Sequence, residues 1–450
     1  TPLTCRRQRQ MCIRDRRGAA PGAIQRPNRE SVLREFDRAR VHWAELGVGD
    51  AVGTLGTEGD PPLKTAVVAS MLNRLVDRSV EPQTTKVGPD SRPQFSNEAR
   101  QQRQLGELVD FTQRLLTLAH RKREELFAPA DRSSVQAWTQ SAQDLREHVY
   151  RELIGRLPND TVAPHPRSRQ ILDEPEFVGY EVVLDVFPDV IAGGVLLLPK
   201  NLAPDERRPV VVCQHGLEGT PMDTILGPQS KGFRAYKSFS AELARRGFIV
   251  YAPQNPYRGR DAFRTLQRKS NPLGRSLFSY ITPQHLVSLR WLATLPHVDP
   301  DRIAFYGLSY GGKTAVRVPP LLVPTDTQPG YCLSICSADF NEWVAKNASV
   351  DARFSYLWTG EYEIFEWNMG HVANYAELSM LMAPRPFMVE RGHDDGVGID
   401  EWVAWEFAKV RRHYAKLGIE DRTEIEFFDG PHTINGKGTF AFLHRHLQWP

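Results

Sequence analysis

One serine, one histidine and a cluster of acids have the residue types that acyl transfer requires. Ser309 is the centre of Gly307-Leu308-Ser309-Tyr310-Gly311, a G-x-S-x-G pattern. With 33 glycines in 450 residues, such a pattern should arise about 0.1 times by chance, so its surroundings must decide what it means. A serine hydroxyl attacks a carbonyl only when a base takes its proton, and the base needs a carboxylate to hold its tautomer and balance its charge. The base on offer is His432, in "EIEFFDGPHTINGKG". The acids are Glu390, Asp394, Asp395 and Asp400, all within "VERGHDDGVGIDEW". Attack on a carbonyl also develops an oxyanion, which backbone donors must hold. Leu217 N–H, in the loop after "VVVCQHG", and Tyr310 N–H, just after the serine, are the expected pair. His215 and Gly216 share that loop and are the first substrate-contact candidates; the alternative for His215 is a structural bond to the loop backbone.

These residues need a scaffold that brings distant loops to one place. After Pro164 the sequence alternates short apolar runs with helical stretches. "GYEVVLDVFP" and "IAGGVLLLP" read as two paired strands. Six more follow in "RPVVVCQ", "FIVYAPQ", "RIAFYGL", "YCLSICS", "RPFMVER" and "EIEFFD", separated by helices such as "SFSAELARRG" and "EWVAWEFAKVRRHYAKLG". Continuous apolar strands alternating with helices imply right-handed crossovers and a mostly parallel sheet covered on both faces. The expectation is therefore an α/β fold with eight strands, two antiparallel and then six parallel. In such sheets ligands gather at the carboxyl ends of the strands. Ser309, the acid cluster and His432 all fall at such ends, in the order serine, acid, histidine.

That order and layout resemble the serine α/β-hydrolases, in particular the acetyl-xylan-esterase and dienelactone-hydrolase-like group. The resemblance covers residues 170–450 and rests on "VVVCQHGLEGT", "YGLSYGGKTA", "RPFMVERGHDD" and "FFDGPHTINGKGTFAFLHRHL". It implies a carboxylic-ester hydrolase that needs no cofactor or metal. It places the acid three residues after the glycine that ends the penultimate strand: Gly392 plus three is Asp395, with Asp394 the alternative. Lys313 lies four residues after Ser309, where glucuronoyl esterases carry a lysine that touches sugar hydroxyls. Those enzymes have an arginine directly after the serine, and this chain has Tyr310. An oligopeptidase-like relative would bring an N-terminal β-propeller, and no blade-like repeat precedes residue 170. A non-catalytic binding protein on the same scaffold would normally have lost the serine or the histidine.

The segment between the sixth and seventh expected strands reads as a small cap. Phe354, Tyr356, Trp358, Tyr362, Phe365 and Trp367 either wall the substrate site, with Trp358 the binding candidate, or form the cap's own core. The basic loop "NPYRGRDAFRTLQRKSNPLGR" either meets an acidic substrate or is solvated. Residues 21–165 read as a helical N-terminal extension, with Leu105, Leu108, Thr112, Leu115 and Ala119 on one face of a helix ending near Phe127. Ser133 and Gln136 fit a capping box for a second helix running to Arg156. Residues 1–20 stand apart. "RQRQMCIRDR" resembles translated sequencing-adapter sequence from assembled environmental DNA, and otherwise reads as a disordered basic tail.

Composition argues against nucleic acid and membrane, which leaves the small-molecule or carbohydrate ester that the resemblance implies. A net charge of +3 is too mild for nucleic acid, and no apolar run reaches the roughly 18 residues of a membrane helix. A metal reading of His393-Asp394-Asp395 fails because consecutive loop residues rarely share one ion. Cys213, Cys332 and Cys336 lie in apolar runs and read as free buried thiols. With no visible signal peptide, they favour a cytoplasmic location, although the natural start is open.

Overall fold

The computed structural model describes residues 28–54, 65–76, 95–259, 262–358 and 366–450. By packing, the chain falls into two units that divide between Gly106 and Glu107. The first holds helices α1 (Arg29–Glu45), α2 (Thr65–Val76) and the start of α3 (Asn97–Phe127). Asn28 caps α1, its side chain accepting the Ser31 N–H at 2.8 Å. The expected loop near residues 80–97 lies almost wholly outside the described residues.

The second unit is built on a nine-stranded sheet of order β1-β2-β3-β5-β4-β6-β7-β8-β9. The strands are β1 (Arg167–Asp173), β2 (Phe177–Phe187), β3 (Val190–Pro199), β4 (Arg208–Gln214), β5 (Ile249–Gln254), β6 (Val298–Leu308), β7 (Leu333–Ser337), β8 (Phe387–Gly392) and β9 (Thr423–Phe428). The last six run parallel, and β1 to β3 are antiparallel. Eight of these match the sequence expectation; β1 is the additional one. Its sequence "RSRQILD" carries no apolar run because it is an exposed edge strand, where charged side chains discourage further pairing.

Side-chain alternation splits the core in two. Val210, Val212, Ile303 and Phe305 point to one face, against α4 (Val135–Val149), α6 (Phe278–Leu292) and α9 (Asp400–Lys416). Val211, Cys213, Ala304 and Tyr306 point to the other, against α5 (Phe239–Arg245) and α10 (Lys437–Leu447). Helix α7 (Tyr310–Ala315) follows β6, and α8 (Trp343–Ala348) opens the cap between β7 and β8.

Helix α4 starts one residue later than expected, because Ser134, not Ser133, caps it by accepting the Ala137 N–H at 3.1 Å. Its Trp138, Ala142 and Val149 are completely buried. Helix α3 ends at Phe127 as expected, but Leu105, Leu108 and Leu115 are exposed and only Ala119 of that face is buried. The face that packs is carried further along, by Ala119, Arg123 and Phe127 at four-residue spacing, one turn apart on a helix. Of the cysteines, Cys213 and Cys336 are buried and Cys332 is half-buried, all as free thiols.

Candidate functional site

Ser309 occupies the turn between β6 and α7 with φ +62° and ψ −119°. A non-glycine residue in that region is strained and persists only when its surroundings enforce it. They do so at close range. The Ser309 N–H donates to Ser337 O at 2.9 Å, and its carbonyl accepts the Lys313 N–H at 2.8 Å. A Cβ on Gly307 would lie 2.3 Å from Gly311 O, and one on Gly311 2.3 Å from Gln214 O. Only glycine fits at either position, so the backbone itself presents the half-buried serine.

His432 and Asp395 meet at the ends of β9 and β8. His432 Nδ1 donates to Asp395 Oδ2 at 2.9 Å, which leaves Nε2 as the acceptor of the neutral ring. Asp395 is buried, and its Oδ1 accepts the Val397 N–H at 2.8 Å. Arg391 braces the same loop: it donates to Asp395 O at 3.0 Å and Gly398 O at 2.8 Å, and its guanidinium lies 3.5 Å from Asp395 Oδ2. The other acids stand elsewhere. Asp394 is exposed, with no side-chain partner among the described residues. Asp400 pairs with Arg391 and His393. Glu390 is buried beneath the loops and accepts from Tyr306 Oη, Ser337 Oγ, Thr439 Oγ1 and the Asn435 and Gly436 N–H groups.

The serine and histidine loops are joined through one turn. Ile434 N–H and Thr433 Oγ1 both donate to Ala235 O, at 2.8 and 2.9 Å. Next along, Tyr236 Oη accepts the Gly216 N–H at 2.8 Å. A Cβ on Gly216 would lie 3.0 Å from both Ser309 Cβ and Tyr236 Oη. Gly216 therefore sits against the serine. Beside it, Leu217 N–H and Tyr310 N–H have no acceptor among the described residues. The Tyr310 amide begins a helix, where no intrahelical acceptor exists.

Two of the expected substrate contacts, His215 and Lys313, are turned into the interior. His215 is completely buried; its Nε2 accepts the Asn255 N–H at 3.3 Å, so Nδ1 carries the proton and donates to Gly216 O at 2.7 Å. Burial pushes its pKa down to about 4, so the ring stays neutral and fastens the loop instead of facing substrate. Lys313 is buried with its ammonium 3.3 Å from Glu366 Oε1, turned into a cluster with Arg317. Trp358 ends the short turn Tyr356–Trp358, and its side chain lies outside the described residues, as do Tyr362 and Phe365. Of the remaining aromatics, Tyr356 packs edge-on to buried Trp343, while Trp367 is 85% exposed. Phe354 alone approaches the acid loop, 3.8 Å from where a Gly396 Cβ would stand. Tyr236, Arg391 and the lower tie at Glu390 were not singled out by sequence reasoning for these parts. Arg391 could have been found, since it directly precedes the glycine that ends β8; Tyr236 carries no local signal.

Among the described residues, no group of three His, Cys, Asp or Glu is placed to hold a metal ion, and no helix is long and apolar enough to cross a membrane.

No protein-family model matches the chain. A putative acetyl xylan esterase from Bacteroides fragilis superposes with a TM-score of 0.53 and 17% identity, over 66% of this chain and 77% of that one. A glucuronoyl esterase from Teredinibacter turnerae superposes at 0.49 and 18% identity, over 70% and 86%, a likeness too loose to add to the first. In sequence, a probable dipeptidyl peptidase 4 from Emericella nidulans is 23% identical over 253 residues, 56% of this chain and 30% of its own length. The chain thus spans under a third of that peptidase. The fold of this chain is the α/β-hydrolase fold.

Proposed function

We propose that this protein is a serine carboxylic-ester hydrolase acting on acylated carbohydrate or other small esters through an acyl-enzyme. The observation that carries the reading is the bonded His432–Asp395 pair on loops tied, through the Arg234–Tyr236 turn, to a strained serine elbow. In this reading Ser309 Oγ attacks the ester carbonyl carbon while His432 Nε2 takes its proton. Leu217 and Tyr310 N–H groups hold the oxyanion. The carbon–oxygen bond to the alcohol breaks, and the alcohol leaves with the proton from His432. Water then attacks the acyl-serine, again deprotonated by His432, and the acid departs. Asp395 keeps His432 in the Nδ1–H tautomer and balances its charge during both transfers. Arg391 fixes the acid loop, and no step calls for a cofactor.

A peptidase reading draws on the dipeptidyl peptidase match. The glucuronoyl-esterase reading loses its lysine contact, because Lys313 is paired with Glu366 in the interior. The test is release of p-nitrophenol from p-nitrophenyl acetate and butyrate, beside release of p-nitroaniline from a dipeptidyl p-nitroanilide. Ester turnover should fall at least about a thousandfold in Ser309→Ala and His432→Ala. Anilide cleavage faster than ester cleavage would favour the peptidase. Ester activity that survives Ser309→Ala would overturn the mechanism.

A further inference from the structure

Away from the serine, the second unit contains a cavity of about 790 Å³, within the usual range for a ligand site. None of Ser309, Asp395 and His432 lines it. One wall is α3, which contributes Gln113, Thr117, His120 and Glu124; the opposite wall is α9, which contributes Trp405, Lys409, Arg412 and Lys416. Both sets follow i, i+4, i+7, i+11 spacing, so each is a single stripe along its helix. Facing helices ordinarily close on apolar ridges. Here two polar stripes face each other, and among the described residues no hydrogen bond or ion pair links one to the other. Contacts elsewhere hold α3 in place: Gln113 donates to Ala348 O at 2.8 Å, and Arg123 donates to Gly370 O at 2.6 Å and lies 3.3 Å from Glu377 Oε2.

The lining mixes charged, polar and apolar side chains around an exposed indole. Trp405 is 64% exposed, with the Lys409 ammonium 5.4 Å from its ring centroid. The lining carries both signs, Arg412 and Lys416 from α9 and Glu124 from α3, with Glu342 and Glu377 also on it. A phosphate or polyanion would call for cations without carboxylates among them, and a lipid for a lining without charges; here Leu116, Phe127, Val344 and Met380 line the space together with the charged groups. Donors and acceptors of both signs beside a flat indole suit a chain of hydroxyl groups with apolar ring faces.

We infer that the cavity between α3 and α9 is a second binding site, separate from the serine, for a neutral oligosaccharide chain that stacks on Trp405. This site stands independently of the esterase proposal. It would hold a sugar chain whether or not Ser309 acts on it.

The test titrates xylohexaose, cellohexaose and mannohexaose into the Ser309→Ala protein by calorimetry, with polygalacturonate as the polyanionic comparator. At least one hexaose should bind at submillimolar concentration. Trp405→Ala should weaken it at least about tenfold and Arg412→Ala a few fold. The same Trp405→Ala change in the otherwise unaltered chain should leave p-nitrophenyl acetate hydrolysis at the parent rate. Both substituted residues are exposed, so neither change threatens folding. Binding of polygalacturonate alone, no hexaose binding at millimolar concentration, or equal affinity in Trp405→Ala would each overturn the inference. Hexaose binding by a chain that hydrolyses no ester would leave the site standing and remove the esterase proposal, so the two fail separately.

Discussion

The serine elbow and the cap beside it are held by opposite kinds of force. At the elbow, glycines let β6, α7 and the end of β4 approach until a single Cβ at Gly307 or Gly311 would fall 2.3 Å from a carbonyl oxygen. Nothing there depends on charge. In the cap, the interior is a network of buried ions and rings. Glu366 pairs with Arg317 and Lys313, and Asp339 accepts from Tyr375 Oη. Trp343 stacks on Tyr375 at 5.2 Å, and the Lys346 ammonium lies 4.0 Å from the Tyr356 ring centroid. Close backbone packing is rigid and indifferent to pH. A buried ion network is sensitive to both pH and the loss of any member. The proposed site thus rests on a fixed serine turn, and the cap holds together by charge.

The largest expected effect breaks the rigid half. Gly311→Ala forces its methyl against Gln214 O, so Ser309 must leave its φ of +62° or β4 must shift. We expect ester hydrolysis to fall more than about a hundredfold and stability by about 3 kcal/mol. Kinetics together with a urea titration would separate misplacement from unfolding. A near-parental rate would show that the close approach is dispensable. Next comes the charged half. Glu366→Gln leaves Arg317 and Lys313 without their carboxylate and should cost about 3 kcal/mol, with activity reduced tenfold or less. Burial alone would raise the Glu366 carboxyl, but Arg317 and Lys313 outweigh it and hold it below the usual glutamate range. Its contribution is therefore present above the ordinary carboxylate range and is lost as pH falls through the lowered value. Melting curves of the parent and Glu366→Gln should converge on acidification. A constant gap down to pH 3 would contradict that.

The same contrast explains what could be read from the chain. The elbow is local: five consecutive residues state both the nucleophile and the glycines it requires. The ends of β6 and β8, before Ser309 and Asp395, carry apolar runs that are visible because both faces are buried, whereas β9, before His432, is a half-buried edge strand. Polar edge strand β1 has no such signature. The cap's ion network joins residues 313, 317, 339, 366 and 375 from separate stretches of the chain, and pairings of that range leave no periodicity. For the same reason Lys313 was legible as a lysine one turn from Ser309, but not as a partner of Glu366. His215 illustrates the middle case. Its place in the oxyanion loop was legible, but its ring orientation depends on Asn255, forty residues away.

Glu390 ties the strands beneath the elbow to the loop after His432 and offers a smaller, pH-dependent test. It is a buried carboxylate whose acceptors reach β6, β7 and the loop after His432. Burial raises its pKa above the usual glutamate range, and the bonds from Ser337, Gly436 and Tyr306 offset this only in part. A raised acid favours the protonated form in the folded state, so its contribution is full below the ordinary carboxylate range and is lost as pH rises through the folded value. Glu390→Gln imitates that protonated form. One amide oxygen can keep the two backbone N–H bonds, and the amide nitrogen can donate to the rotatable hydroxyls of Tyr306 and Ser337. We expect the variant to melt at least as high as the parent at pH 8, with the difference shrinking toward pH 4. A lower melting point at pH 8 would mean that the ionised carboxylate itself stabilises the fold.

The smallest change tests whether the rigid half owes anything to a side chain. Tyr236 Oη accepts the Gly216 N–H at 2.8 Å and lies 3.0 Å from the point where a Gly216 Cβ would stand beside Ser309. Tyr236→Phe keeps the ring and its packing near Phe239 and removes only that acceptor, leaving one buried amide unpaired. The stability cost should be about 1 kcal/mol. The catalytic cost should be larger than that suggests, because Leu217 N–H, the proposed oxyanion donor, belongs to the next peptide along and is hinged to the displaced one at Gly216 Cα. Ester kcat should fall about tenfold with KM little changed, since the interaction lost is one made as the oxyanion forms. A rise in KM at constant kcat would instead place Tyr236 in substrate binding. Parental values for both would show that the close packing of Gly216 against Ser309 holds the loop without help.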